Sequence, residues 1–184
     1  MARQIVDGNA PEVPMEAAKV VATLSQQALD IHARLREIDR DLAAWLRGKD
    51  VARRLMTIPG IGPIGATALA ASVTDPHQFR SGRQFAAWLG LTPLQKSSGG
   101  KERLGRITKM GDKYLRKLLV VGMTALVRRA RQNSAVDPRP ADLLARKPTR
   151  VATVAMANKT ARIVWAIMTR DEEYHAGHRP ALAA

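Results

Sequence analysis

Eight apolar residues, Val21, Leu24, Ala28, Ile31, Leu35, Ile38, Leu42 and Trp45, follow one another at spacings that alternate between three and four. That rhythm is a seven-residue repeat, and it commits residues 15–47 to one long helix before the rest of the chain is considered. So narrow and sustained a seam is the pattern of a coiled coil, and the expectation is a homo-oligomer joined through this helix. A helix packed on its own domain is the competing reading, although it usually carries a wider apolar face. Gly8, Pro11 and Pro14 mark residues 1–14 as an unstructured leader, and Gly48-Lys49-Asp50 interrupts the helix, so the coiled-coil segment is bounded at 15–50.

After a short helical restart over 51–57 comes TIPGIGPIGATALAAS, residues 57–72. Pro59, Gly60 and Gly62 force a tight turn there, and Pro63 suits the first position of a new helix. Two helices joined by a glycine bend with little side chain form a helix-hairpin-helix. The free N–H groups at the second helix's start can hold a backbone phosphate without reading base sequence. The same Gly-Ile-Gly after proline also suits a purely structural bend.

Beyond it, residues 79–91, FRSGRQFAAWLGL, predict a turn and a short helix burying Phe85, Trp88 and Leu89. A helix over 111–131 places Leu115, Leu118, Leu119, Gly122, Met123 and Leu126 inward. Residues 133–140 read as a loop and 142–146 as a short helical piece. A last helix over 149–170 is expected to bury Val151, Val154, Ala155, Ala161, Ile163 or Val164, Trp165 and Met168. No stretch alternates polar and apolar residues long enough for a strand. The expected fold class is therefore all-α: the coiled-coil helix, then a compact helical domain over 51–174 that contains the helix-hairpin-helix, then a flexible tail over 175–184.

Charge narrows the partner. The chain carries 30 Lys and Arg against 16 Asp and Glu, a net +14 over 184 residues, which favours a polyanion, nucleic acid before anionic membrane. Aromatic residues are only 4% of the chain, too few for a surface that stacks single-stranded bases, so phosphate contact with structured DNA or RNA fits better. The absence of cysteine excludes disulfides and thiolate metal sites. The longest apolar stretch, residues 118–127, is too short to span a bilayer and is flanked by Arg116, Lys117, Arg128 and Arg129. The N-terminus lacks the pattern of a signal peptide. These features predict a soluble, cytoplasmic protein with no membrane partner.

The cations are not spread evenly. Residues 95–131 hold eleven Lys and Arg against two acids, Glu102 and Asp112. Like charges at helical spacing repel and call for a counter-charge, so Lys96, Lys101, Arg103, Arg106, Lys109, Lys113, Arg116 and Lys117, with Gly60 and Gly62 of the hairpin, are the candidate nucleic-acid contacts. Within this field, QKSSGGKERLGRITK places Ser97 and Ser98 beside two glycines. A Ser-Gly-Gly segment is most often a flexible turn. A serine hydroxyl becomes a nucleophile only with a base, or with cations and a metal that stabilise the alkoxide, and no neighbouring residue is an obvious base. Lys96, Lys101, Arg103 and Arg106 would supply positive charge for a crowded phosphorus transition state. His175 and His178 have metal-ligand spacing but no third ligand, and the acids are too scattered to hold a pair of metal ions, so no metal site is expected in this chain.

Taken in order, TIPGIGPIGATALAA, DPHQFRSGRQFAAWLGLTP, QKSSGGKERLGRITKMGDKYLRKLL and ANKTARIVWAIM resemble the C-terminal domain of the insertion sequence 110 and 1111 family of transposases, over about residues 55–174. The long helix sits where that family has a coiled coil. The resemblance implies a recombinase that moves its own element, guided by a structured bridge RNA. Its composite active site takes magnesium on four acids, Asp-Glu-Asp-Asp, of an N-terminal RuvC-like domain, and a C-terminal serine that attacks DNA to form a phosphoserine link. Carried over by motif, that serine is Ser98, with Ser97 a neighbour and Ser81 a loop residue. The chain begins near the coiled coil, so the acidic domain is expected to be missing: the chain would be a fragment, a remnant of a broken element, or a half that works with a separate acidic domain. On this resemblance the partners are DNA and a guide RNA, and magnesium comes with the acidic domain. A non-catalytic nucleic-acid-binding or dimerising module is the alternative.

Overall fold

The alternating seam becomes one uninterrupted helix, α1, Met15–Arg47. The computed structural model describes Gln4, Asp7 and residues 14–95, 104–132 and 138–175. It divides into two compact units, Met1–Trp45 and Leu46–Ala184. In the first, the seam is open: Leu24, Ile31, Leu35 and Ile38 are each more than half exposed, at 59, 58, 52 and 54%. The leader assigned to residues 1–14 lies almost wholly outside the described residues.

The second unit contains α2 (Asp50–Met56), α3 (Pro63–Ser72), a 3-10 turn (Pro76–Gln78), α4 (Gly82–Trp88), β1 (Pro93–Gln95), β2 (Leu104–Ile107), α5 (Lys113–Gln132), α6 (Pro138–Arg146) and α7 (Thr149–Arg170). Helix α7 is the central element, packing against α2, α4, α5 and α6, while α3 packs on α2 and α5. The core between them is aliphatic, with Leu55, Leu69, Phe85, Leu89, Leu91, Leu115, Met123 and Val164 all but fully buried. Burial of such side chains stabilises the unit by about 1.5–3 kcal/mol each.

Helix α7 owes its central position to small residues. Ala152, Thr153, Ala157, Thr160 and Ala161 line its buried face, beside Val164, Ile167 and Met168, so neighbouring backbones approach closely. The expected face holds at Ala161, Val164 and Met168, which are buried, but not near the start of the helix, where Val151 is 52% exposed, Ala155 is exposed and Val154 only half-buried. Apolar periodicity was misled because Ala and Thr carry little hydrophobic weight, whereas packing rewards their size. Trp88, expected to be buried, is 38% exposed. It instead forms the outer edge of a ring cluster, with centroids 5.3 Å from Phe79 and 5.7 Å from Phe85.

Two further expectations are corrected. The fold is mostly helical but not all-α, because β1 and β2 pair antiparallel, Pro93 opposite Ile107 and Gln95 opposite Leu104. Strands of three and four residues are too short to show alternation, and an irregularity in the ladder between Pro93 and Gln95 breaks what alternation there is. Helix α6 begins at Pro138, inside the expected loop, since prolines are tolerated in a first helical turn where their missing N–H has no partner anyway. Tyr174 packs against the core, and its N–H donates to Thr57 Oγ1 at 3.0 Å, while Arg54 pairs with Asp171 at the left-handed end of α7. The segment after α7 thereby returns to α2. The described residues include no helix long and apolar enough to cross a membrane.

Candidate nucleic-acid interface

Residues 96–103 join β1 to β2, so the segment that carries Lys96, Ser97, Ser98, Lys101 and Arg103 is the connection of a β-hairpin. Those five residues lie outside the described residues. What is described is how the hairpin's base is held. The two residues ahead of it, Leu89 and Leu91, are buried, and four carbonyls in succession find donors. Leu89 accepts from Arg116 Nη1 at 2.9 Å, Gly90 from the Lys109 N–H at 3.1 Å, Leu91 from Asn158 Nδ2 at 3.1 Å and Thr92 from the Thr108 N–H at 2.9 Å. Two of these donors are backbone of the two residues that follow β2; the others are side chains of α5 and α7. The hairpin thus leaves the core from a base fixed on both sides.

Glycines make this base possible. At Gly90, φ is +68° and a Cβ would stand 2.3 Å from the Met110 carbonyl oxygen; at Gly111, φ is +114° and a Cβ would stand 1.8 Å from the Trp88 carbonyl oxygen. Only glycine allows the end of α4 and the start of α5 to approach so closely in these conformations. Asp112 then caps α5, its carboxylate accepting from the N–H groups of Tyr114 and Leu115 at 2.8 and 2.9 Å.

The described candidate cations do not behave alike. Arg106 on β2, Lys109 at φ +56°, and Lys113 and Lys117 on α5 are exposed, and among the described residues no carboxylate pairs with any of them. Lys113 and Lys117 lie one turn apart on one helix face, where a phosphate backbone reaches both. Arg116 differs. It is half-buried and its guanidinium is committed to the Leu89 carbonyl, so its first role is to hold the hairpin base.

The two hairpin glycines separate in the same way. Gly60, at φ +86°, packs its backbone on α5: a Cβ there would meet Met123 Cε at 2.4 Å, and one on Gly122 would meet the Gly60 carbonyl oxygen at 1.9 Å. Its glycine identity is explained by packing. Gly62 faces open space, with nothing within 4 Å of a built Cβ, and precedes α3 with no side-chain cap. The free N–H groups expected at this bend therefore belong to the start of α3 rather than to Gly60. Sequence reading passed over Asn158, and its one signal was an amide in an otherwise Ala-, Thr- and Val-rich helix.

Among the described residues no three His, Asp or Glu side chains are placed to hold a metal ion.

Residues 52–136 match the family model described as Transposase IS116/IS110/IS902 family. The chain is 45% identical over 166 residues to a probable family 20 transposase of Pseudomonas aeruginosa, covering 90% of this chain and 49% of that protein. It is 37% identical over 162 residues to the transposase for insertion sequence element IS1111A of Coxiella burnetii, covering 86% and 44%. It is 38% identical over 160 residues to the transposase for insertion sequence element IS1328 of Yersinia enterocolitica, covering 86% and 48%. The chain spans roughly half the length of each of these relatives.

Proposed function

We propose that this chain is a module of a transposase of the IS110/IS1111 kind, that it binds DNA, and that it presents Ser98 as the nucleophile for strand cleavage. The observation that carries the reading is the anchored hairpin: the Ser-Ser-Gly-Gly segment joins two strands whose base is tied to α5 and α7, with the exposed cations Arg106, Lys109, Lys113 and Lys117, which have no carboxylate partner among the described residues, beside it in sequence. A base tied on both sides fixes where that segment begins and ends, which suits a nucleophile that must meet a phosphodiester in line.

In this reading the Ser98 oxygen attacks a backbone phosphorus, a serine–phosphate bond forms, and the deoxyribose oxygen of the adjoining nucleotide leaves as a hydroxyl. Lys101, Arg103 and Arg106 offset charge on the phosphate oxygens. Magnesium belongs with an acidic domain that acts together with this module. The guide RNA is a further partner in this proposal, and the exposed seam of α1 joins copies of the chain.

The test combines this chain with the acidic domain, magnesium, the guide RNA and a nicked DNA substrate that traps a covalent product. A protein–DNA adduct is expected with the wild-type chain and with Ser97→Ala, and none with Ser98→Ala. Persistence of the adduct in Ser98→Ala overturns the assignment. A second reading, a non-catalytic DNA-binding or dimerising module, draws on the exposed α5 cations and the open α1 seam, neither of which needs Ser98. It predicts salt-sensitive binding and no adduct in any combination.

A further inference from the structure

The turn FRSGR and helix α7 meet at a point that the reading above leaves unused. A Cβ on Gly82 would stand 3.1 Å from Arg162 Cα and from the Arg162 carbonyl oxygen, so here α4 and α7 touch backbone to backbone. The turn leading into α4 is held rigid. Ser81 Oγ accepts from the Gln84 N–H at 3.3 Å, and Gln84 Oε1 accepts from the Arg80 N–H at 2.6 Å, a reciprocal cap. Arg80 and Arg83, both exposed, flank the Gly82 contact in sequence. On α7, Lys159 and Arg162 are one turn apart on one face. All four are exposed, and among the described residues none has a carboxylate partner.

This cluster is separate from the basic stripe of α5. On α7, Asn158, Arg162 and Trp165 reach Leu91, Gly82 and Pro76, whereas Thr160 Oγ1 reaches Met123 of α5 at 3.2 Å. Positions 160 and 162 are turned about 200° apart around a helix axis. The α4 side and the α5 side of α7 are thus nearly opposed; Arg162 lies on the α4 side, and Lys159, one turn before it, stands between the two sides.

We infer that the seam between α4 and α7, with Arg80, Arg83, Lys159 and Arg162, seats the phosphate backbone of duplex DNA at a position distinct from the α5 stripe. Four exposed cations on the turn, α4 and α7, with no carboxylate partner among the described residues, are stabilised by a polyanion. The nearby rings are not free for stacking bases: Phe79 and Phe85 are buried, Trp88 packs on both, and Trp165 donates its Nε1–H to Pro76. Ala155 and Val151 continue the exposed face of α7 as a low surface that a duplex can approach. A rigid turn and a helix face suit backbone contact, which positions DNA without selecting sequence. The inference rests on the DNA-binding reading and adds a second surface to it.

The test uses the full chain and a blunt duplex DNA, with binding measured across salt concentrations. Three proteins are compared: wild type, an α5 variant (Lys113→Gln with Lys117→Gln), and a seam variant (Arg83→Gln, Lys159→Gln and Arg162→Gln). Loss of three phosphate contacts shrinks the fall in affinity between roughly 50 and 200 mM salt by about 40-fold, with helical content unchanged. As a measurement free of mutation, acetylation of Lys159 by an activated ester slows when duplex is bound, relative to Lys19 on α1. A seam variant with the wild-type salt slope and an unprotected Lys159 overturns the inference, while a weakened α5 variant in the same series leaves DNA binding itself standing. Protection of Lys159 by duplex RNA but not by duplex DNA also overturns it. A wild-type chain that binds no duplex removes the DNA-binding reading and this inference together.

Discussion

Replacing Gly122 by alanine sets two well-calibrated effects against each other. Gly122 lies inside α5, where alanine is intrinsically the better helix former by about 1 kcal/mol. Were α5 free at this point, Gly122→Ala would stabilise the protein. The new methyl, however, would stand 1.9 Å from the Gly60 carbonyl oxygen and 3.0 Å from its carbon. Both partners are backbone, so no side chain can swing aside, and α5 must part from the turn before α3 by about 1 Å or more. A gap of that size forfeits a quarter to a half of each contact across the interface, Met123 and Leu126 included, and overpacking costs about 1–3 kcal/mol or more. With no soft neighbour to yield, the upper end applies, and the net loss is about 2 kcal/mol. For a chain of this length that lowers Tm by about 4–8 °C. Thermal and urea unfolding followed by helical circular dichroism measure it, with Thr124→Ala on the exposed face of α5 as a control within about 0.5 kcal/mol of wild type. A Gly122→Ala protein as stable as the parent would show that α5 and the turn are not in contact. The packing explanation for Gly60 would then fail, and Gly60 would return to the phosphate-binding candidates.

Two other expectations follow from the same geometry. Asn158→Ala leaves the buried Leu91 carbonyl without its donor, so the chain loses about 1–3 kcal/mol, and amide exchange accelerates across β1 and β2 before the core helices respond. Ile31→Asp with Ile38→Asp places charge in the α1 seam; sedimentation velocity is expected to show the associated wild type replaced by a monomer, with unfolding of the second unit unchanged, and a wild type that is already monomeric refutes the coiled-coil reading.

Legibility tracked the kind of force that shapes each part. Where burial of large side chains decides, the sequence was explicit: the seam of α1 fixed its helix to the residue, and Leu115, Leu119 and Met123 predicted the inner face of α5. Where close approach decides, it was silent or misleading. In the first half of α7 the buried face is built from Ala152, Thr153, Ala157 and Thr160, whose small side chains give no strong apolar period, so the period favours the larger Val151, which is exposed. The β-hairpin escaped notice because its strands are too short to show a period, and because its base is fixed by Arg116 and Asn158 from elements that lie 27 and 67 residues away in sequence. Arg116 shows the consequence for reading sites. Its charge and helical position match those of Lys113 and Lys117, yet the Leu89 carbonyl makes it a strut first.

The glycines carry the same distinction further. Both hairpin glycines satisfy the sequence pattern for a phosphate clamp, but only the open N-terminus beyond Gly62 has room for a phosphate, because Gly60 is occupied by α5. Gly82, read in sequence as part of an unremarkable turn, has its small size consumed by the backbone of α7 at Arg162, so the exposed Arg80 and Arg83 beside it are brought to that helix. A glycine next to cations therefore has two meanings here, and packing separates them. Where its missing side chain faces space, the backbone itself is available to a phosphate. Where it faces another helix, the glycine serves the ligand indirectly, by bringing together cations that the sequence keeps some eighty residues apart.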